Sequence, residues 1–146
     1  MVQVDGYNLP DELYYTTGHT WARVEKDGTV TVGLDDFGQK GAKNVTFIDV
    51  VSEGDKVESL KGFGTLESAK WIGKLISPVS GTCISSNQKI YQNPKLIYTD
   101  PYGEAWFAKI KPTNLQDDLA KLIHGSEAVA DWIKKEVEKY SKQKQG

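Results

Sequence analysis

Short alternating segments, closely spaced and separated by turn residues, are the feature that most constrains the fold of this chain. Residues 21–25 and 29–34 alternate apolar and polar side chains on either side of Asp27-Gly28, a pair typical of a hairpin turn. Further β-rich segments predict strands at 45–51, 62–67, 72–77, 82–85 and 106–110. Short strands at this spacing, punctuated by glycines, predict a mainly β chain folded as a small sandwich or flattened barrel.

Helical signals are confined to one short segment and to the end of the chain. Asp35-Asp36 is predicted to open a single helical turn through Lys40, with an acidic residue as its N-cap. Residues 113–116 (Thr-Asn-Leu-Gln) match a capping box, in which the threonine caps and the glutamine reaches back, and predict a helix to about Ile123. Ser126 is then predicted to cap a second, packing helix, whose apolar side chains recur at helical spacing: Val129, Trp132, Ile133, Val137 and Tyr140.

Length and charge narrow the class of protein. We predict that the 146 residues form a single domain over 1–146, with its core at about 9–111 and a C-terminal helical extension at about 113–142. The net charge of −2 leaves no basic surplus to neutralise phosphates, which argues against nucleic acid as a partner. No apolar run approaches the roughly 18 residues that span a bilayer, and residues 1–6 lack the pattern of a secretory signal. We therefore expect a cytoplasmic protein with no membrane partner.

Residues that could build a catalytic centre are scarce. The chain has two histidines and one cysteine, Cys83, and neither His-x-x-x-His nor Cys-x-x-Cys spacing is present. No glycine-rich phosphate-binding motif occurs either. We therefore predict no metal site and no catalytic residue, and expect that any reactive group is borrowed from a cofactor.

One lysine lies where a borrowed group could be attached. The strands predicted at 62–67 and 72–77 are joined by residues 68–71 (Ser-Ala-Lys-Trp), which places Lys70 at a hairpin tip with its stem directed into solvent. This position suits a residue that another enzyme modifies, because an amide bond removes the ammonium charge and leaves a flexible arm on a rigid base. The pattern alone is weak, because loop lysines are abundant and most of them are ordinary solvated surface charges.

A family resemblance decides between these interpretations. Residues 53–57 (Glu-Gly-Asp-Lys-Val), 67–70 (Glu-Ser-Ala-Lys) and 77–81 (Ser-Pro-Val-Ser-Gly) resemble the paired motifs of the biotinyl/lipoyl carrier fold. Glu-Ser-x-Lys is similar to the lipoylation site of glycine cleavage H proteins. Biotin carriers usually place methionine on both sides of the lysine, whereas Ala69 and Trp71 stand there in this chain. Residues similar to further H-protein blocks cover about 9–111 and include 15–21, 30–39 and 93–106.

The resemblance implies both a fold and a function. The fold would be a flattened barrel or sandwich of two small antiparallel sheets of the biotinyl/lipoyl hammerhead type, with short helices and a C-terminal helix. Lipoate would be bound covalently to Lys70 and would shuttle an aminomethyl group between glycine decarboxylase, aminomethyltransferase and dihydrolipoyl dehydrogenase. The protein would then be no enzyme, but a carrier that is a substrate of these partners.

Two further residues receive roles from the resemblance. Glu67, three residues before Lys70, would help the lipoate-attaching enzyme to recognise the turn, with a solvated strand-end carboxylate as the alternative. His19 corresponds to the family's histidine before the Trp21 strand and would contact the arm, with a structural histidine as the alternative.

Several positions depart from the usual H-protein pattern. The familiar Glu-His-Glu-Trp string appears at residues 18–21 as Gly-His-Thr-Trp, so that both carboxylates beside His19 are missing. Such carboxylates would stabilise a protonated methylamine electrostatically. The departures resemble a second branch, the H-protein-like lipoate-binding proteins that carry sulfur for a heterodisulfide-reductase-like sulfur-oxidation system. Both branches stay open at this point, and glycine cleavage is preferred as the commonest role of the family.

Overall fold

The computed structural model describes residues 1–145, so that Gly146 of the predicted domain 1–146 lies outside the described part. The strands are β1 Val2–Val4, β2 Tyr7–Leu9, β3 Tyr14–Tyr15, β4 Thr20–Val24, β5 Val30–Leu34, β6 Phe47–Val50, β7 Lys56–Val57, β8 Gly62–Glu67, β9 Ile72–Ile76, β10 Gly81–Ser86, β11 Ala108–Pro112 and β12 Ile123–His124. The helices are α1 Asp36–Gly41, α2 Gln88–Gln92, α3 Leu96–Thr99, α4 Leu115–Leu119 and α5 Ser126–Gln145.

Two antiparallel sheets dominate the molecule. The larger has seven strands in the order β12-β3-β4-β5-β11-β10-β7, and the smaller has three in the order β6-β8-β9. Strands β1 and β2 form a separate hairpin. The predicted mainly β fold with antiparallel sheets, short helices and a C-terminal helix is therefore confirmed. The seven-stranded sheet is larger than expected, because the two-residue strands at its edges give almost no local signal.

The main core contains the buried side chains of the two sheets. All five residues of β5 are buried, and the alternating burial of β6 directs Ile48 and Val50 into the same apolar cluster. One glycine is required by close packing here. A Cβ on Gly33 would lie 2.4 Å from the ring of Trp21 on the neighbouring strand, so that only glycine leaves room for this tryptophan.

A second apolar cluster holds the C-terminal helix against the large sheet. Val129 and Ile133 of α5 are fully buried and pack with Leu9, Tyr15 and Trp21. Trp132 and Val137 are half-buried beside them. The predicted amphipathic helix is thus confirmed, and its buried stripe fixes α5 over β1 and β3 of the fold.

The predicted capping box at 113–116 is wrong. Asn114 stands at the N-cap position of α4 without a side-chain hydrogen bond, and the helix ends at Leu119 instead of about Ile123. Residues Ile123 and His124 form β12, which pairs with β3. Strand pairing with a distant part of the chain overrides local helix propensity here.

The acidic N-cap of α1 is confirmed. Asp35 precedes the helix, and its Oδ1 accepts a hydrogen bond from the N–H of Gly38 at 2.8 Å. Two short helices, α2 and α3, were not predicted. Asn87 caps α2 by accepting from the N–H of Lys89 at 3.1 Å, while its amide donates to two carbonyl oxygens of the segment that precedes β11.

Candidate functional site

The connection between β8 and β9, residues 68–71, is a tight turn braced by its own serine. The N–H of Ser68 donates to the carbonyl oxygen of Trp71 at 2.9 Å. The Oγ of Ser68 accepts from the N–H groups of Lys70 and Trp71 at 3.1 and 3.2 Å, a local bonding pattern that serine favours in turns. Below the turn, Glu67 and Ile72 form the last pair of the two strands. The hairpin predicted for Lys70 is present, and its backbone is fixed around this residue.

Lys70 itself is exposed at this turn. Within residues 1–145 its ammonium group makes neither a hydrogen bond nor an ion pair with the protein. A side cleft of about 330 Å³ lies next to it, lined by the turn and by Lys43, Asn44 and Thr46. The amine is therefore accessible to a second protein, while its attachment point is held in place.

A second depression, the apolar cleft, lies beside the turn. It has a volume of about 340 Å³ and is lined by residues from both sheets and from α1, among them Leu34, Ala42, Leu66 and Leu75. Trp71 lines this cleft as well as the side cleft. The residue that follows Lys70 therefore connects the turn to an apolar surface large enough to cover a small ring.

His19 lies at the same apolar cleft, with a contact at each face and at each nitrogen of its ring. Its ring stacks between Phe37 and Trp132, with centroid distances of 4.6 and 4.8 Å. Its Nδ1 lies 3.0 Å from Oδ2 of Asp35, and its Nε2 lies 2.8 Å from Oε1 of Glu136. The backbone of His19 has a φ of 69°, a conformation that costs energy outside glycine and is maintained by these contacts.

The charges around His19 determine its protonation. Burial disfavours the imidazolium, but the hydrogen bonds and negative charges of Asp35 and Glu136 outweigh it and raise the pKa of His19 above its usual value. Burial also raises the pKa of Asp35, while the bond to His19 opposes this. The Nζ of Lys139 lies 3.7 Å from the second oxygen of Glu136. His19 thus links the N-terminus of α1 to α5 through two carboxylates.

Glu67 lies on the outer face of the small sheet. Together with residues 68–72 it borders an open groove at the turn, and it does not line the apolar cleft. Its carbonyl oxygen accepts from the N–H of Thr46 at 2.8 Å, whereas its carboxylate has no partner in the part of the chain that the structure describes. The structure therefore brings Glu67 together with Lys70, and His19 together with Trp71.

Sequence reasoning missed four contributors to this region. Ser68 is identifiable in retrospect, because a serine two and three residues before free N–H groups is a local turn signal. Trp71 was considered only as a replacement for methionine. Asp35 was predicted as an N-cap, but its bond to His19 spans 16 positions. Glu136 is 117 positions from His19, and no local pattern connects them.

Neither a membrane-spanning helix nor a metal site is found among the described residues. None of their helices combines the length and apolar character needed to cross a bilayer. In residues 1–145 no group of three or more histidine, cysteine, aspartate or glutamate side chains is arranged to hold a metal ion.

Comparisons with known proteins agree with this architecture. A family model described as "Glycine cleavage H-protein" matches residues 13–136. The chain is 42% identical over 125 residues to "Glycine cleavage system H protein 2" of Aquifex aeolicus, covering 85% of this chain and 78% of that protein. It is 38% identical over 134 residues to a "Probable glycine cleavage system H protein" of Pyrococcus abyssi, covering 92% and 98% of the two chains. The crystal structure of a glycine cleavage system H protein from Mycobacterium marinum is similar, with a TM-score of 0.75 and 28% identity, covering 84% of this chain and 98% of that one.

Proposed function

Since this chain belongs to the glycine cleavage H-protein family, a family of lipoyl carriers, we propose that its lipoyl arm is attached to Lys70. The observation that carries this proposal is the geometry of residues 68–71. An exposed amine with no partner among the described residues projects from a turn whose backbone is braced by Ser68. A modifying enzyme can reach this amine without unfolding the carrier.

The surroundings of Lys70 suit the group proposed for it. The dithiolane, when bound, supplies a disulfide that accepts an aminomethyl group. The apolar cleft beside Trp71 has space for a small ring and would shield it from water, which protects a labile adduct from hydrolysis. The chain provides the attachment point and a sheltered surface, while the length and flexibility of the arm allow its end to move between partners.

The partners follow from the family. The carrier would receive its aminomethyl group from glycine decarboxylase, deliver it through aminomethyltransferase and be reoxidised by dihydrolipoyl dehydrogenase. A lipoate-attaching enzyme must act before all three. In this proposal the protein is a substrate of each partner and catalyses no step itself, because the reacting group is carried on the arm.

Glu67 and His19 take different parts in the proposal. Glu67 would be recognised by the lipoate-attaching enzyme, because its carboxylate has no partner among the described residues and lies directly before the turn. His19 would contact the arm at the apolar cleft through its carbon atoms, because both of its ring nitrogens are engaged by carboxylates. A ring nitrogen would become available only if Asp35 or Glu136 moved away.

The sulfur-carrier alternative receives no support from the compared proteins, which are named as glycine cleavage proteins. The missing carboxylates at residues 18 and 20, which motivated that alternative, are offset in part. Asp35 and Glu136 place two carboxylates at His19 from other parts of the chain. Both carboxylates are engaged by the ring nitrogens of His19, so they replace the lost negative charge only in part.

The attachment site is tested by intact-mass measurement after incubation with lipoate, ATP and a lipoate ligase. We expect wild type to gain one lipoyl group and Lys70→Arg to gain none. Lys43→Arg, beside the side cleft, and Lys74→Arg, on the next strand, serve as matched controls and should be modified like wild type. Modification of Lys70→Arg would overturn the assignment.

The cargo is tested separately with the lipoylated protein, glycine decarboxylase and glycine labelled at its methylene carbon, since the carboxyl carbon leaves as CO2. Transfer of the label to the protein supports the glycine cleavage role. If the fully lipoylated protein takes up no label but accepts sulfur from a sulfur-oxidising partner, the protein is still a lipoyl carrier. Its cargo is then sulfur and not an aminomethyl group.

A further inference from the structure

The register of the small sheet aligns three side chains beside the turn. Phe47 of β6 pairs with Glu67 of β8, and Glu67 pairs in turn with Ile72 of β9. We call these three residues the outer row. Neighbouring strands lie about 4.8 Å apart, so the row crosses the sheet over roughly 10 Å. It is the last row of the sheet before residues 68–71.

The outer row faces away from the core. In β6 the burial alternates, with Phe47 exposed and Ile48 buried. The next row of the same face contains polar side chains, Asp49, Thr65 and Lys74. The outer row differs from it because two of its three members are large and apolar.

These two apolar side chains are strongly exposed. Ile72 retains 70% of its accessible surface and Phe47 retains 46%. Exposure of two large apolar side chains in one row of the sheet is unfavourable in water and is typical of a surface that a partner covers. Glu67 lies between them with a carboxylate that has no partner within residues 1–145.

The position of the outer row determines which partner covers it. An enzyme that takes the Nζ of Lys70 into its active site must close around residues 68–71, and the outer row begins one residue beyond this turn on each strand. Its surface would bury Phe47 and Ile72 and place a basic group against Glu67. We propose that Phe47 and Ile72 form the binding surface for the lipoate-attaching enzyme, with Glu67 as its charged centre. This inference rests on the proposed attachment at Lys70.

The experiment measures lipoylation kinetics with a lipoate ligase, varying the concentration of the carrier. Phe47→Ser and Ile72→Ser should each raise the KM for the carrier about tenfold with little change in kcat. Each variant removes contacts that are equally strong in the enzyme–carrier complex and in the transition state. The double variant should raise KM further. Phe47→Leu keeps an apolar side chain, and its KM for the carrier should stay close to that of wild type.

Asp49→Asn and Lys74→Gln provide matched controls, since they change the adjacent row of the same face. They should leave KM within about twofold of wild type. Thermal unfolding of every variant verifies that the fold is intact, as expected for exposed positions.

The outcomes separate this inference from the attachment site. Wild-type KM in Phe47→Ser and Ile72→Ser, with normal modification of Lys70, overturns the inference and leaves the attachment site unaffected. An unmodified wild type overturns both. If the variants instead convert a dimer into a monomer in sedimentation experiments without changing KM, the outer row joins two copies of this chain and the inference is wrong.

Discussion

Lys70 and His19 both lie next to the apolar cleft, yet their surroundings are built in opposite ways. The ammonium of Lys70 has no partner among the described residues, and only the backbone of its turn is fixed. His19 has a carboxylate on each ring nitrogen and an aromatic ring on each face. The two side chains therefore differ in how many partners the fold gives them. The side chain proposed to be reached by other proteins has no partner among the described residues, whereas the one that joins helices α1 and α5 has a partner at each ring nitrogen and each ring face.

The strongest test of this contrast removes the free side chain. Lys70→Arg should abolish lipoylation completely while changing the free energy of unfolding by less than about 0.5 kcal/mol, because an exposed side chain without partners contributes little. Intact mass and chemical denaturation measure the two quantities on one sample. A loss of stability comparable to that of a core variant would show that Lys70 has a structural role.

The buried contacts of α5, unlike the side chain of Lys70, should contribute strongly to the free energy of unfolding. Ile133→Ala removes a fully buried side chain under α5 and should lower the free energy of unfolding by about 3 kcal/mol. Ile72→Ala is its matched control, since the same change at a largely exposed isoleucine should cost less than about 0.5 kcal/mol. Equal losses in urea denaturation would contradict the assignment of α5 to the core.

The pH dependence of stability distinguishes the ion pairs of His19 from its stacking. The folded state raises the pKa of His19 above the unfolded value of about 6.5, so the resulting stability is complete below that pH and is lost as pH rises through the folded-state pKa. Glu136→Gln should lower the free energy of unfolding by about 1 kcal/mol near pH 6, and the deficit should shrink as pH rises. Denaturation curves at several pH values measure it.

The control for this experiment is Glu138→Gln, which changes an exposed glutamate of the same helix. It should show no such dependence on pH. A deficit in Glu136→Gln that stays constant through neutral and alkaline pH would mean that the bond does not depend on protonated His19.

The smallest effect is expected at the turn itself. Ser68→Ala removes the acceptor for two N–H groups and should destabilise the protein by about 0.5–1 kcal/mol, because the exposed groups can bond to water instead. Lipoylation should slow, since Lys70 is presented by a looser turn. Ser68→Thr keeps the acceptor and serves as control. Wild-type lipoylation of Ser68→Ala would show that the brace is dispensable for the enzyme.

The contrast between Lys70 and His19 also explains which parts of the structure could be predicted from the sequence. The turn at Lys70 was predictable because its signals, two β-rich segments and a four-residue connection, are contiguous in the sequence. The end of α4 was not, because Ile123 leaves the helical pattern to pair with Tyr15 more than a hundred positions away. The bond between His19 and Glu136 was equally inaccessible. The outer row was not predictable for a related reason, since Phe47 and Ile72 come to flank Glu67 only through the register of β6, β8 and β9.

The span of 117 positions between His19 and Glu136 also has a consequence for the order of events during synthesis. Contacts between distant positions carry a larger entropic cost of loop closure and form late in folding. Because α5 follows β8 and β9 in the chain, it leaves the ribosome after them, and we expect the hairpin of β8 and β9 to be complete while His19 still lacks both Trp132 and Glu136. A nascent carrier would therefore present Lys70 before its histidine is enclosed.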